Sequence, residues 1–145
     1  MESTDSRTKP FPVIALTVTH RVSGAACLAV LAYTAVALDI RAGWVRFAFA
    51  VVVIGGAAVL NLIAPRRLAD PRPGDDPDQA FISGTTRLAM VSVFAAGGPI
   101  VRGSMEAGFT VLLWVGVGLV LVSIAMAYLV GALRKPPVRE WFEAE

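Results

Sequence analysis

Three side chains in this sequence could do chemistry: His20, Arg21 and Arg87. Each is ionisable, and each interrupts an apolar run where charge is costly. Hydroxyls cluster beside them, at Thr17, Thr19 and Ser23 near the first two and at Thr85 and Thr86 next to Arg87. Two guanidiniums and these hydroxyls could build a positive, donor-rich pocket between helices one and three. It would suit a quinone carbonyl, a lipid headgroup or a small anion. Imidazole titrates near neutrality, so His20 could donate to, or protonate, a bound quinone. The same arginines could instead run their stems along apolar surface and anchor to lipid phosphate. Both readings stay open at this stage.

Other chemistry is excluded by what is missing. His20 is the single His and Cys27 the single Cys, so neither a two-histidine site nor an internal disulfide can come from this chain. No metal site is assigned, and no cofactor. A haem held by two histidines of this chain is ruled out in the same way. No apolar segment carries an acid in its middle, whereas proton pumps and cation-coupled carriers bury carboxylates at membrane depth. Gly55-Gly56 and Gly97-Gly98 lack the spacing of a nucleotide fingerprint. No nucleophile–base pair is visible, so no catalytic residue is assigned. Net charge is +2, which gives nucleic acid no electrostatic footing.

The elements that must position these residues follow from composition. Hydrophobic residues make up 56% of the 145 residues and charged residues 17%. Mean hydropathy is +0.67. A soluble domain has roughly 45–50% apolar and about 25% charged residues. A helix needs roughly 20 apolar residues to cross the hydrocarbon core. Four stretches suffice: Val13–Leu38, Trp44–Ala64, Phe81–Val101 and Ala107–Leu133. Backbone groups in lipid must be satisfied internally, so each is expected to be an α-helix. The expected fold is all-α: a four-helix transmembrane bundle, up-down-up-down, forming one domain over residues 1–145.

The joints are expected to be short at Asp39–Gly43 and Arg102–Glu106. The longer Pro65–Ala80 carries four prolines and four aspartates and reads as a solvated loop. Tails of 1–10 and 134–145 complete the chain. Lys and Arg are counted to orient it. Arg7, Lys9, Arg21, Arg66, Arg67, Arg72, Arg87, Arg134, Lys135 and Arg139 fall on one side, and Arg41, Arg46 and Arg102 on the other. The excess predicts both termini and the Pro/Asp loop in the cytoplasm, with the chain in the inner membrane. Trp44 and Trp114 then fall near the outer interface, and Trp141 just beyond the inner one. The first helix is read as retained, because no Ala-x-Ala-like site closes the leader.

Finer features set further expectations. Arg21 and Arg87, with Thr19 and Thr85, align at an offset of 66 (87 − 21), as in a 2+2 repeat of helical hairpins. Small residues four apart, as at Ser23/Cys27 and Ser92/Ala96, allow close helix approach. Cys27 reads as a small packing residue. Gly97-Gly98-Pro99 is expected to kink or fray the third helix near its outer end.

Lys9-Pro10 and the run Thr17-Val18-Thr19-His20-Arg21-Val22-Ser23-Gly24 resemble the start of the first membrane helix in succinate dehydrogenase cytochrome b subunits. That family carries a basic residue and Pro, then Ser-x-x-His-Arg-x-Ser/Thr-Gly. The resemblance implies a membrane-anchor role and a quinone at the inner side, lined by Thr17 and Arg21. It is local: the family's second-helix haem His has no counterpart in Trp44–Ala64, and the family has three spanning helices where four are expected here.

The function expected is a non-catalytic, multi-pass membrane subunit or accessory protein of a larger assembly, respiratory and quinone-associated on this resemblance. Its partners would be the bilayer and either other proteins or copies of itself. The alternative is a stand-alone small transporter, channel or immunity-type protein. That needs a polar path through the outer half, where the sequence offers little beyond Ser92, Thr110 and Ser123.

Overall fold

The computed structural model describes residues 9–37, 44–69, 84–108 and 110–143. Helix α1 spans Phe11–Ala37, and Pro12 falls in its first turn, where a missing N–H is harmless. The Pro10 carbonyl receives the amides of Val13 (3.0 Å) and Ile14 (3.3 Å). The second rod is made of α2 (Trp44–Ala50), one π-helical turn (Val51–Gly55) and α3 (Gly56–Ala69). Helix α4 spans Gly84–Ala107, α5 Thr110–Ala132 and the short α6 Pro136–Glu143. No strand occurs among the described residues. Four of these helical stretches are long and apolar enough to cross a membrane.

Several boundaries differ from expectation. The second rod runs on to Ala69, although Pro65 was expected to open the loop. Residues 70–80 of that loop, with Asp39–Gly43, lie outside the described residues. Helix α4 passes through Pro99 and ends at Ala107 instead of Val101. In an apolar bundle neighbouring helices and a residue's own side chains compensate the bond that Pro removes, so Pro need not end a helix. The Arg102–Glu106 joint is helical too. Arg102 Nε meets Glu106 Oε1 at 3.0 Å one turn on, which favours the helix over a loop. The turn between α4 and α5 narrows to two residues, and Gly108 takes the left-handed conformation, φ 72°, that favours Gly. Of the expected fourth helix, Ala107, Gly108 and Leu133 fall outside α5. The expected C-terminal tail contains α6. Its paired prolines occupy the first turn, and Val138 is tucked into the core.

The buried residues fall at alternating steps of three and four. In α1 they are Val13, Leu16, His20, Ser23, Cys27 and Val30; in α4, Thr86, Ala89, Val93, Ala96 and Ile100; in α5, Gly116, Leu119, Ser123 and Met126. This 3.5-residue repeat is the seam of a left-handed bundle. Neighbouring rods are antiparallel: Gly24 packs on Leu62 while Gly55 packs on Leu31, and Gly97 on Val120 while Gly116 packs on Val101. The rods follow one another around a square. Helices α1 and α4 face each other across a diagonal with little direct contact.

Buried positions can be matched at about the spacing of the expected hairpin repeat, as seams of this period allow. His20, Ser23, Cys27 and Val30 correspond to Thr86, Ala89, Val93 and Ala96, each 66 positions later (86 − 20). Ile54, Ala58 and Asn61 correspond to Leu119, Ser123 and Met126 at 65 (126 − 61).

The outside is apolar. Even the most enclosed span has only 39% of its window buried, and Val36, Trp114, Leu121 and Tyr128 are among many large apolar side chains facing outward. Soluble monomers rarely expose contiguous apolar surface on this scale. Spans of this length with this exterior are the build of a multi-pass membrane protein.

Close approach inside the bundle can be tested at two glycines. A Cβ on Gly24 would stand 2.9 Å from Leu62 Cγ and 3.2 Å from the Ala58 carbonyl oxygen, while one on Gly98 would meet nothing within 4 Å. Gly24→Ala is expected to cost about 1 kcal/mol. Gly98→Ala should leave stability within about 0.5 kcal/mol. Unfolding of both variants in mixed micelles checks the difference.

Candidate functional site

His20 has no exposed surface, and its level of the bundle is built around it. Its Nδ1 lies 2.7 Å from Asn61 Oδ1 on the second rod. Asn61, equally buried, turns its Nδ2 to the Ala57 carbonyl (2.8 Å) and across to the Ala89 carbonyl of α4 (3.0 Å). Ser92 Oγ is 3.4 Å from the same Nδ2 and donates to the Ala89 carbonyl at 2.6 Å. Asn61 therefore joins α1 to α4, the two helices the bundle otherwise keeps on a diagonal. His20 stands nine residues past Phe11 and Asn61 eight before Ala69. At about 1.5 Å per residue the pair sits roughly 12–14 Å from that end of the bundle.

The hydrogen bonds fix the tautomer. Both carbonyls facing Nδ2 can only accept, so that atom is the amide nitrogen and the oxygen faces His20. An amide oxygen can only accept, so His20 Nδ1 carries the hydrogen. In the neutral ring Nε2 is then a bare acceptor. A charged ring would be a buried cation, and no Asp or Glu is among the buried polar residues described. Nε2 is buried and has no hydrogen-bond partner among the described residues. The other described side chains with buried N or O atoms do not share this state.

The residues expected from sequence divide into three groups. His20, Ser23 and Thr86 are buried. Thr17 and Thr19 are half-buried, and their hydroxyls donate to the Val13 and Ala15 carbonyls of their own helix at 2.8 and 2.6 Å. Ser23 does the same to Thr19, at 2.8 Å. Such back-bonding satisfies a hydroxyl in an apolar environment and leaves its proton committed. Arg21 and Arg87 are exposed, on the outside of helices that sit diagonally. The side chain of Thr85 lies outside the described residues. The structure thus brings His20 together with Asn61 and, through it, Ser92, and it leaves the guanidiniums on the surface. Asn61 was missed. It is the only Asn in the chain and stands alone in an apolar run, and that isolation was the available signal.

Exposure of the arginines makes them dispensable for folding. Arg21→Gln and Arg87→Gln are each expected to shift stability by less than about 0.5 kcal/mol. Micelle unfolding of the two variants checks this, and a drop above 2 kcal/mol would contradict their surface placement.

Among the described residues no group of three or more His, Cys, Asp or Glu could hold a metal ion. The arrangement defines a class: a four-helix, multi-pass membrane protein whose apolar interior is crossed by a layer of polar side chains, His20, Asn61 and Ser92, bonded from helix to helix. Comparison with protein-family models, curated proteins and solved structures finds no match.

Proposed function

We propose that the chain is a non-catalytic membrane subunit or accessory protein of a larger, quinone-associated assembly. It sits in the inner membrane with both termini on the cytoplasmic side. One observation carries this reading: the His20–Asn61–Ser92 layer, buried in an apolar bundle, ends on an acceptor that no described residue meets. A bundle that only needed to fold would pack more cheaply with an aliphatic pair there. The resemblance of Thr17–Gly24 to cytochrome b subunits of succinate dehydrogenase supports a quinone as the ligand class.

Orientation is supported by Arg21, Arg87, Arg134 and Lys135, all exposed near the end that holds the polar layer. Arg21 and Arg87 would then face anionic headgroups, and a partner protein would cover part of the apolar exterior. A transporter reading draws less support. Beyond the layer the seam is filled mainly by Cys27, Val30, Ile54, Val93, Ala96 and Leu119, and the buried hydroxyls there, Ser123 and Ser104, donate to carbonyls of their own helix at 2.7 and 2.6 Å.

The test is purification in a mild detergent, followed by mass spectrometry of whatever remains bound. A stoichiometric protein partner and an enriched quinone are expected. A monodisperse monomer carrying only bulk lipid would overturn the proposal.

A further inference from the structure

The polar layer narrows the ligand beyond its class, and this step rests on the quinone reading above. Most buried polar atoms in proteins have a partner, and an orphan acceptor in a water-poor interior costs about 1–3 kcal/mol. His20 Nε2 is such an orphan. It cannot be relieved by moving the hydrogen to Nε2, because that would present a bare Nδ1 to Asn61 Oδ1, acceptor against acceptor. It cannot be relieved by turning the amide over, because Nδ2 is held by the Ala57 and Ala89 carbonyls. Nearby hydroxyls are engaged as well: Ser23 donates to Thr19 and Ser92 to Ala89. The layer's own groups therefore supply no donor to Nε2.

We infer that His20 Nε2 is the ligand-contacting atom, and that it selects hydroquinone over quinone. A hydroquinone carries O–H groups and can donate to Nε2. A quinone carries only carbonyl oxygens, which would face Nε2 as a second acceptor. Neutral His20 in this tautomer thus discriminates by direction of the hydrogen bond, with no change in ring shape needed. Asn61 acts as a positioning residue, holding the hydrogen on the far nitrogen. A bound water would satisfy Nε2 by the same chemistry, and the experiment separates the two donors.

Because His20 is the only His, labelling the protein with 15N-histidine gives one imidazole to observe. The full chain in lipid vesicles is titrated with a short-chain benzoquinone, and separately with its hydroquinone kept reduced under argon. The Nε2 resonance is expected to move saturably toward the hydrogen-bonded range with hydroquinone. Apparent affinity should exceed that for the quinone by about tenfold, near the worth of one good hydrogen bond. The Nδ1–H signal should persist throughout. Equal responses to both forms would overturn the selectivity while leaving the quinone reading intact. No response to either, with Nε2 already hydrogen-bonded in ligand-free vesicles, would assign the donor to water and overturn both.

Discussion

Asn61→Leu is expected to destabilise the bundle by about 2–3 kcal/mol. Leu fills a similar volume, so the loss is one of hydrogen bonding. It strips His20 Nδ1–H of its only partner and removes the link from the second rod to the Ala89 carbonyl of α4. The bond itself contributes modestly, since interhelical hydrogen bonds in membrane proteins average about 0.6 kcal/mol. The unpaired N–H left in an apolar interior is the larger effect. His20→Leu alone strands Asn61 Oδ1 in the same way. The double substitution removes donor and acceptor together and should recover much of the loss. A double-mutant cycle, read by unfolding in mixed micelles, should give a coupling of about 1–2 kcal/mol. Additivity within about 0.5 kcal/mol would mean that the two side chains do not share a bond in the folded protein.

The second large effect is expected where α4 and α5 meet. A Cβ on Gly116 would stand 2.8 Å from Val101 Cγ2, 3.0 Å from Ile100 Cγ2 and 3.0 Å from the Val101 amide nitrogen. Gly97 opposes it, 3.2 Å from the Gly116 carbonyl oxygen by the same measure. Two glycines facing each other let the backbones nearly touch, and the contact then rests on many small dispersion gains. Gly116→Leu must push the helices apart along their most extensive interface, at about 3 kcal/mol or more. Gly118→Leu is the control, because a Cβ there meets nothing within 4 Å. It should stay within about 1 kcal/mol of the parent. Equal behaviour of the two variants in the same unfolding assay would show that the close approach is absent.

The spans were legible in the sequence because the hydrocarbon core imposes a length on each, and four apolar stretches met it. Their ends were less legible. Pro65 was read as a stop and Pro99 as a kink or fraying point, by a rule that holds where water can compete for the freed carbonyl, and both lie within helices. Arg102 and Glu106 were read as a joint from their charge, though a pair four apart is equally at home on a helix end. At the site, attention went to charge, and so to Arg21 and Arg87, whose long stems let them remain outside. Asn61 carries no charge and drew none. Its importance comes from what faces it across the bundle, a relation between residues 41 positions apart that no local pattern records.

The π-helical turn at Val51–Gly55 sets which way the first half of the second rod faces. Such a turn holds one residue more than the α-helix around it, accommodated without breaking the rod. Deleting Val52 would undo it. The upstream piece, Trp44–Ala50, would then swing by about 100° relative to Asn61, one residue's worth of helical rotation. Without the extra residue that half-rod would turn a different face outward while the histidine's partner stayed where it stands.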